Sequence, residues 1–132
     1  MLSKNHKLFI KKAKEEYKKI GHVECPAFDN KKVIFNNYGF NHLIRKGQEL
    51  RPIEIQIERI NLTKKYATQI LKSSYNYMTY LKDVDKDNHT AYFWSFISKK
   101  DGLNIRVVVR QLENGPKHFF SIHIKRAQTS PK

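Results

Sequence analysis

The chain has one cysteine, one tryptophan, two methionines, four prolines, five glycines and only 12 acidic side chains in 132 residues, and each scarcity closes off a class of protein. The lone Cys25 cannot form an internal disulfide, which excludes a cystine-stapled scaffold, and no Cys/His cluster has the spacing of a zinc site. No paired carboxylates suggest a two-metal nuclease, so no metal or other cofactor is expected. Asp83-Val84-Asp85-Lys86-Asp87-Asn88 imitates the start of a calcium loop, but its sixth position lacks glycine and its twelfth is Trp94 rather than glutamate, so it reads as a solvated turn. There is no internal repeat and no low-complexity tract. No apolar run approaches the roughly 20 residues that span a bilayer, and Leu8-Phe9-Ile10, flanked by lysines, is not a signal peptide. The expected location is a reducing cytoplasm, with no membrane partner.

What the chain does have is positive charge. Lysine and arginine number 26, the formal net charge is +14, and the resulting field attracts polyanions: nucleic acid, an anionic membrane surface or an acidic protein. Binding that weakens with salt should follow. The length fits one domain with one core, divided into a basic N-terminal helix (1–21), a main body (22–126) and a polar tail (127–132).

Phe9, Ala13, Tyr17 and Ile20 recur at helical spacing, with Ser3 placed as a cap and Gly21 as a stop, which predicts an amphipathic helix over 3–20. Its seven lysines either ride on phosphates or form an ordinary solvated face. Residues 25–30 read as a loop, 32–35 as a short strand and 36–39 as a turn. Pro52 is suited to open a helix in which Ile53, Ile57, Ile60 and Leu62 share an apolar side, although Ile53, Ile55 and Ile57 would also fit a strand. Thr63 is placed to cap a further helix through Lys72 that buries Ala67, Ile70 and Leu71.

From Tyr75 onward the period changes to two. Strands are predicted at 77–81, 90–98, 103–112 and 117–126, with hairpin turns at Lys100-Asp101-Gly102 and Glu113-Asn114-Gly115-Pro116. The expected fold class is α+β, with N-terminal helices packed on a four-stranded antiparallel sheet. Leu103, Ile105, Val107 and Val109 share one face of the third strand, and Asn104, Arg106, Val108 and Arg110 share the other. One sheet face should be dry and the other cationic.

Two constellations carry chemistry. In the last strand, alternation puts Phe120, Ile122 and Ile124 on one face and Ser121, His123 and Lys125 on the other: a hydroxyl that binds phosphate, an imidazole that moves a proton and a positive charge for the transition state. The alternative is an exposed face of ordinary polar residues. After the Asn36–Gly39 turn, His42 precedes Arg45 and Lys46, an imidazole beside two cations that can act as base on a ribose hydroxyl while Arg45 holds phosphate. The alternative there is a surface segment with an incidental histidine. Arg106 and Arg110 add phosphate contacts if register brings them to the same side, and Tyr92 and Trp94 point one way on their strand as stacking platforms. Cys25, in a loop before proline, reads as a packed thiol rather than a nucleophile.

The segment Gly39-Phe40-Asn41-His42-Leu43-Ile44-Arg45, together with the closing Phe120-Ser121-Ile122-His123-Ile124, resembles the phage-associated members of the barnase, EndoU, colicin and RelE-like nuclease superfamily over residues 25 to 126. The resemblance implies a RelE- or barnase-like RNase fold. It further implies metal-independent cleavage of RNA through attack of the 2'-hydroxyl, leaving a 2',3'-cyclic phosphate. The partner would be RNA, and the setting a toxin or phage-encoded effector that meets an acidic antitoxin or immunity protein. His42 matches the histidine after the glycine turn, and Ser121 and His123 the last-strand position that often holds a catalytic group. The Lys-rich helix and the lack of a second histidine close behind His42 depart from the family pattern. The catalytic set read from the sequence is His42, His123, Ser121 and Arg45, with Lys46, Arg106, Arg110, Lys125 and Tyr92 binding substrate. The rival readings are a non-catalytic nucleic-acid-binding module and a basic protein that meets an acidic partner.

Overall fold

Residues 3–125 are described by a computed structural model, and residues 1–2, Arg126 and the 127–132 tail lie outside the described part. Helix α1 (Lys4–Ile20) begins where expected, its Ser3 hydroxyl accepting from the His6 amide, and ends at Gly21 with φ 68°. Two short strands that form a hairpin follow, β1 (His22–Cys25) and β2 (Lys31–Ile34). The first of them was not legible in the sequence. Helix α2 (Asn37–Ile44) occupies what reads as a turn, because the Asn36 side chain accepts from Gly39 N and starts a helix instead of reversing the chain. A two-residue ribbon, β3 (Arg45–Lys46) with β4 (Glu49–Leu50), leads to α3 (Ile53–Leu62). That helix runs through a π-helical turn at Thr63–Ala67 into α4 (Thr68–Ser73).

Thr63 therefore caps nothing. Its hydroxyl donates back to Arg59 O inside a continuous helix. Ala67, Ile70 and Leu71 are fully buried, as the spacing requires. On α3, however, Ile53 and Ile57 are exposed, and Gln56 is buried beside Ile60 and Leu62. Gln56 can be buried because its polar atoms are satisfied: His6 Nε2 donates to its Oε1 at 2.8 Å, and its Nε2 donates to Arg51 O at 2.7 Å.

The predicted meander is present as β5 (Thr79–Val84), β6 (Thr90–Lys100), β7 (Leu103–Leu112) and β8 (Lys117–Ile124). The sheet is larger than expected. It has six strands in the order β1-β2-β8-β7-β6-β5, antiparallel except where β2 runs parallel to the start of β8, so the expected four-stranded antiparallel sheet is corrected to a mixed six-stranded one. The extra hairpin is held because Val33 (fully buried) and Phe35 pack into the core beside Phe119, whose ring stacks on Phe35 at 5.0 Å.

Ile105, Val107 and Val109 of β7, with Phe119 and Ile122 of β8, are fully buried on the inner face under the helices. Helices α2 and α3 meet β8. The closest approach is at Gly39, where an added Cβ would fall 2.6 Å from Tyr17 Oη and closer still to the Phe119 carbonyl. Glycine is needed there for space, since its φ is not positive. Gly39→Ala should cost on the order of 2–3 kcal/mol in chemical unfolding despite alanine's better helix propensity, because the obstructing atoms include backbone.

Candidate active site on the outer sheet face

Register decides which chemistry-bearing side chains meet. Val108 pairs with Ser121 and Val109 with Phe119, which leaves Phe120 as an extra residue in a β-bulge. The alternation read from the sequence is thus corrected: Phe119, not Phe120, joins Ile122 and Ile124 on the inner face. The bulge also brings His118 to the same side as Ser121 and His123, where simple alternation would have opposed them. On β7 the cross-strand partners of His123 and His118 are Arg106 and Arg110, so both arginines share the outer face with the histidines.

Helix α2 closes one side of this face. The His42 ring stacks on Phe120 with centroids 4.3 Å apart, and Tyr38 also stacks on Phe120 at 6.0 Å. Phe93 of β6 meets the same Phe120 ring edge-on at 5.3 Å. Arg110 lies over the Tyr38 ring at 3.9 Å and donates from Nε to His118 Nε2 at 3.0 Å. Because a guanidinium only donates, His118 carries its proton on Nδ1, which donates to the Phe119 carbonyl at 3.1 Å. Both ring nitrogens are in use, which makes His118 a holder of Arg110 rather than a free acid or base.

Two arginines that the sequence reading missed complete the site. Arg51 donates from Nε to the His42 carbonyl at 3.0 Å and from Nη2 to His42 Nε2 at 3.3 Å, and Arg59 of α3 donates from Nη1 to Ser121 Oγ at 3.1 Å. Ser121 is itself buried, and its hydroxyl is engaged by Arg59. Arg106 Nε is buried with no hydrogen-bond partner among the described residues.

The electrostatics follow from this crowding. Burial, then Arg51, Arg59 and Arg110, pull His42 down from 6.5 to about 4. Burial, then Arg59, Arg106 and Arg51, lower His123. Burial also lowers His118, with the Phe119 hydrogen bond opposing and Arg110 adding. Arg59 falls to about 10 through burial and Arg51, against the pull of Glu58. Arg51 and Arg59 thus act on both His42 and His123, and the face holds neutral imidazoles among guanidiniums that an anion would stabilise.

The other sequence-predicted site residues lie elsewhere. Arg45 donates to Gln48 O and lines a groove with Lys7 and Lys14, and its expected place beside His42 belongs to Arg51. Lys46 is exposed in the β3–β4 ribbon, and Lys125 lies past the end of β8. Tyr92 pairs with Gln111 and so points to the opposite face from Arg106 and Arg110. Cys25 is a fully buried thiol. Arg51 and Arg59 went unread because they sit in a strap and a helix with no motif around them. The available signal was one cation, Arg59, set between Ile57 and Ile60 of the predicted helix, and another, Arg51, just before the Pro52 that opens it.

Among the described residues, one cluster has metal-ligating atoms within reach of one another, Asp85, Asp87 and His89 in the exposed β5–β6 turn. There the Asp85 carboxylate already accepts from the Asp87 and His89 amides and shapes the turn. No helix of the described residues is long and apolar enough to cross a membrane. No family model, curated protein or solved structure matches the chain.

The depressed histidines set the pH dependence of stability. With His42 near 4 when folded and 6.5 when unfolded, the unfolded chain binds more protons between those values, so stability is full above about pH 6.5 and is lost as pH falls towards 4; His118 and His123 act in the same sense. Thermal unfolding should show a falling Tm from pH 7 to 5, a smaller fall for His42→Gln, and a smaller fall for the unaltered chain when inorganic phosphate is added. An NMR titration of Arg51→Met should show His42 titrating at higher pH than in the unaltered chain.

Proposed function

We propose that the chain is a metal-independent endoribonuclease that uses the outer sheet face to cleave RNA by attack of the 2'-hydroxyl on its own phosphodiester. The observation that carries this reading is that Arg51 donates to His42 Nε2, Arg59 donates to Ser121 Oγ two places before His123, and Arg106 pairs across the strands with His123, so two imidazoles share one group of guanidiniums. A phosphodiester held by Arg51, Arg59 and Arg106 places its charge where guanidiniums are crowded and where Arg106 Nε lacks a partner.

Substrate binding also readies the proton-transfer groups. A phosphate that draws Arg51 away from His42 Nε2 frees that lone pair to take the 2'-hydroxyl proton, and neutralising the guanidiniums raises the histidine pKa values towards the working pH. The 2'-oxygen then bonds to phosphorus, the bond to the 5'-oxygen breaks, and protonated His123 supplies the proton to that leaving oxygen. The products are a 2',3'-cyclic phosphate and a 5'-hydroxyl. Arg59, fixed by Ser121, and Arg106 balance charge on the pentacoordinate phosphorane. Phe120 and Tyr38 offer ring surface for the base next to the scissile bond.

A RelE- or barnase-like RNase fold and a toxin or phage-effector setting in a cytoplasm are part of the same proposal. An acidic inhibitor would be drawn to this face by the same charge that draws RNA.

Bulk tRNA and a mixed single-stranded RNA, incubated with the protein in excess EDTA, should give discrete fragments ending in 2',3'-cyclic phosphate. His42→Ala and His123→Ala should each lower cleavage about 100-fold or more while near-UV circular dichroism is retained. Full activity in both variants overturns the assignment of the site. Intact RNA that still binds in a salt-sensitive way identifies a binding module in place of an enzyme.

A further inference from the structure

The inner face of the sheet is not covered along its whole width. The helical layer reaches Phe28, whose ring meets Trp94 edge-on at 5.1 Å and Phe96 at 5.7 Å, and beyond it strand β5 is exposed at every residue. At the border of that uncovered part, where Tyr92 and Trp94 are half-buried and Tyr80 is exposed, the register assembles two cross-strand rows. Tyr80 pairs with Trp94, and Lys82 pairs with Tyr92, which pairs in turn with Gln111 and then Lys117. Tyr80 stacks near Tyr92 at 6.4 Å and Tyr92 near Trp94 at 6.2 Å, with interplanar angles of 18° and 26°. Tyr80 is about half exposed, and Tyr77, just before β5, adds a fourth ring 6.4 Å from it.

Aromatic exposure of this kind suits either bases or an apolar partner, and charge decides between them. Lys117 Nζ stands 5.2 Å from the Trp94 ring and 5.1 Å from the Phe28 ring, and burial together with the nearby Lys31 lowers its pKa. Lys31, Lys32 and Lys117 line one cleft at the end of the Tyr92 row, and Lys82 stands at its other end. Asp83 pairs with Ala91, which places it on the opposite sheet face, and the acidic Asp85–Asp87 turn bounds the surface beyond Tyr92. Flat rings flanked by lysines are complementary to unpaired bases joined by phosphates.

We propose that Tyr80, Tyr92 and Trp94, with Lys82 and Lys117, form a second RNA-binding surface that stacks unpaired bases of single-stranded RNA on the opposite side of the sheet from the catalytic face. It takes from the proposed function only that the chain meets RNA. A duplex cannot use this surface, because its bases are already stacked on one another. The chain would then prefer substrates with a single-stranded stretch long enough to pass round the β5 edge.

Trp94 is the chain's single tryptophan, so its emission reports on this face alone. The test is titration with a short 2'-O-methyl RNA, which lacks the attacking hydroxyl and cannot be cleaved, reading Trp94 emission and the oligonucleotide's anisotropy together. The expected result is quenching that follows binding and weakens with salt. Tyr80→Ala or Lys117→Gln should weaken affinity about tenfold, in line with the loss of one stacked base or one phosphate contact. Arg106→Gln should leave the quenching in place. If binding is seen by anisotropy with no change in emission, or if a duplex of the same sequence quenches equally, the second surface is overturned and the catalytic reading stands. If cleavage fails while single-strand quenching persists, the catalytic reading falls and the surface stands.

Discussion

The residue left over between the Val108–Ser121 and Val109–Phe119 pairs governs the rest of the outer face. One unpaired residue in β8 changes the parity of the strand, so that His118 and His123, five positions apart, project to the same side as two β7 arginines. It also presents the Phe120 ring to α2, where His42 and Tyr38 rest on it. Pair the same residues without the bulge and Phe120 would take the place of Phe119 opposite Val109, His118 would turn to the inner face opposite Gln111, and α2 would lose the ring that sets its His42. The core and the site therefore depend on the same irregularity.

The second constraint is repulsion. Arg51, Arg59 and Arg110 are held by uncharged groups: Arg51 by the His42 carbonyl, Arg59 by the Ser121 hydroxyl, and Arg110 by the His118 ring and the Tyr38 face, while Arg106 Nε has no partner among the described residues. Ion pairs form at Lys64–Glu16, Lys65–Asp101 and His89–Asp85, and near the cluster the charge of Glu58 acts on Arg59. Packing supplies the rigidity that makes this tolerable. His6 on α1 reaches Gln56, and Gln56 reaches the Arg51 backbone, so a helix outside the candidate site helps to hold the strap that carries Arg51.

Legibility in the sequence followed the physics of each element. α1, β6 and β7 were readable because long periodic runs end in strong caps or hairpin turns, and the dry and cationic faces of β7 followed from alternation alone. The four-residue strand β1 carries too few side chains to show a period. α2 hid behind Asn36, Asn37 and Gly39, which serve a helix start and a close approach as readily as a turn. His42, His123, Arg106 and Arg110 were found by residue type, but their meeting depends on register, and Tyr92 fell on the far face for the same reason. Arg45 was credited with a place that only the path of the strap could assign to Arg51.

Strand β8 lies between β7 and β2 near the middle of the sheet, yet it is the last strand of the described chain, and its parallel neighbour lies more than 80 residues earlier in sequence. Helices and hairpins made first on the ribosome have no central strand to close upon, so the outer face stays unassembled until residue 124 has cleared the exit tunnel. Until then the chain has His42, Arg51 and Arg59 but neither His123 nor the Phe120 ring in place beside them. The order of the strands thus makes the outer face the last part of the fold to assemble.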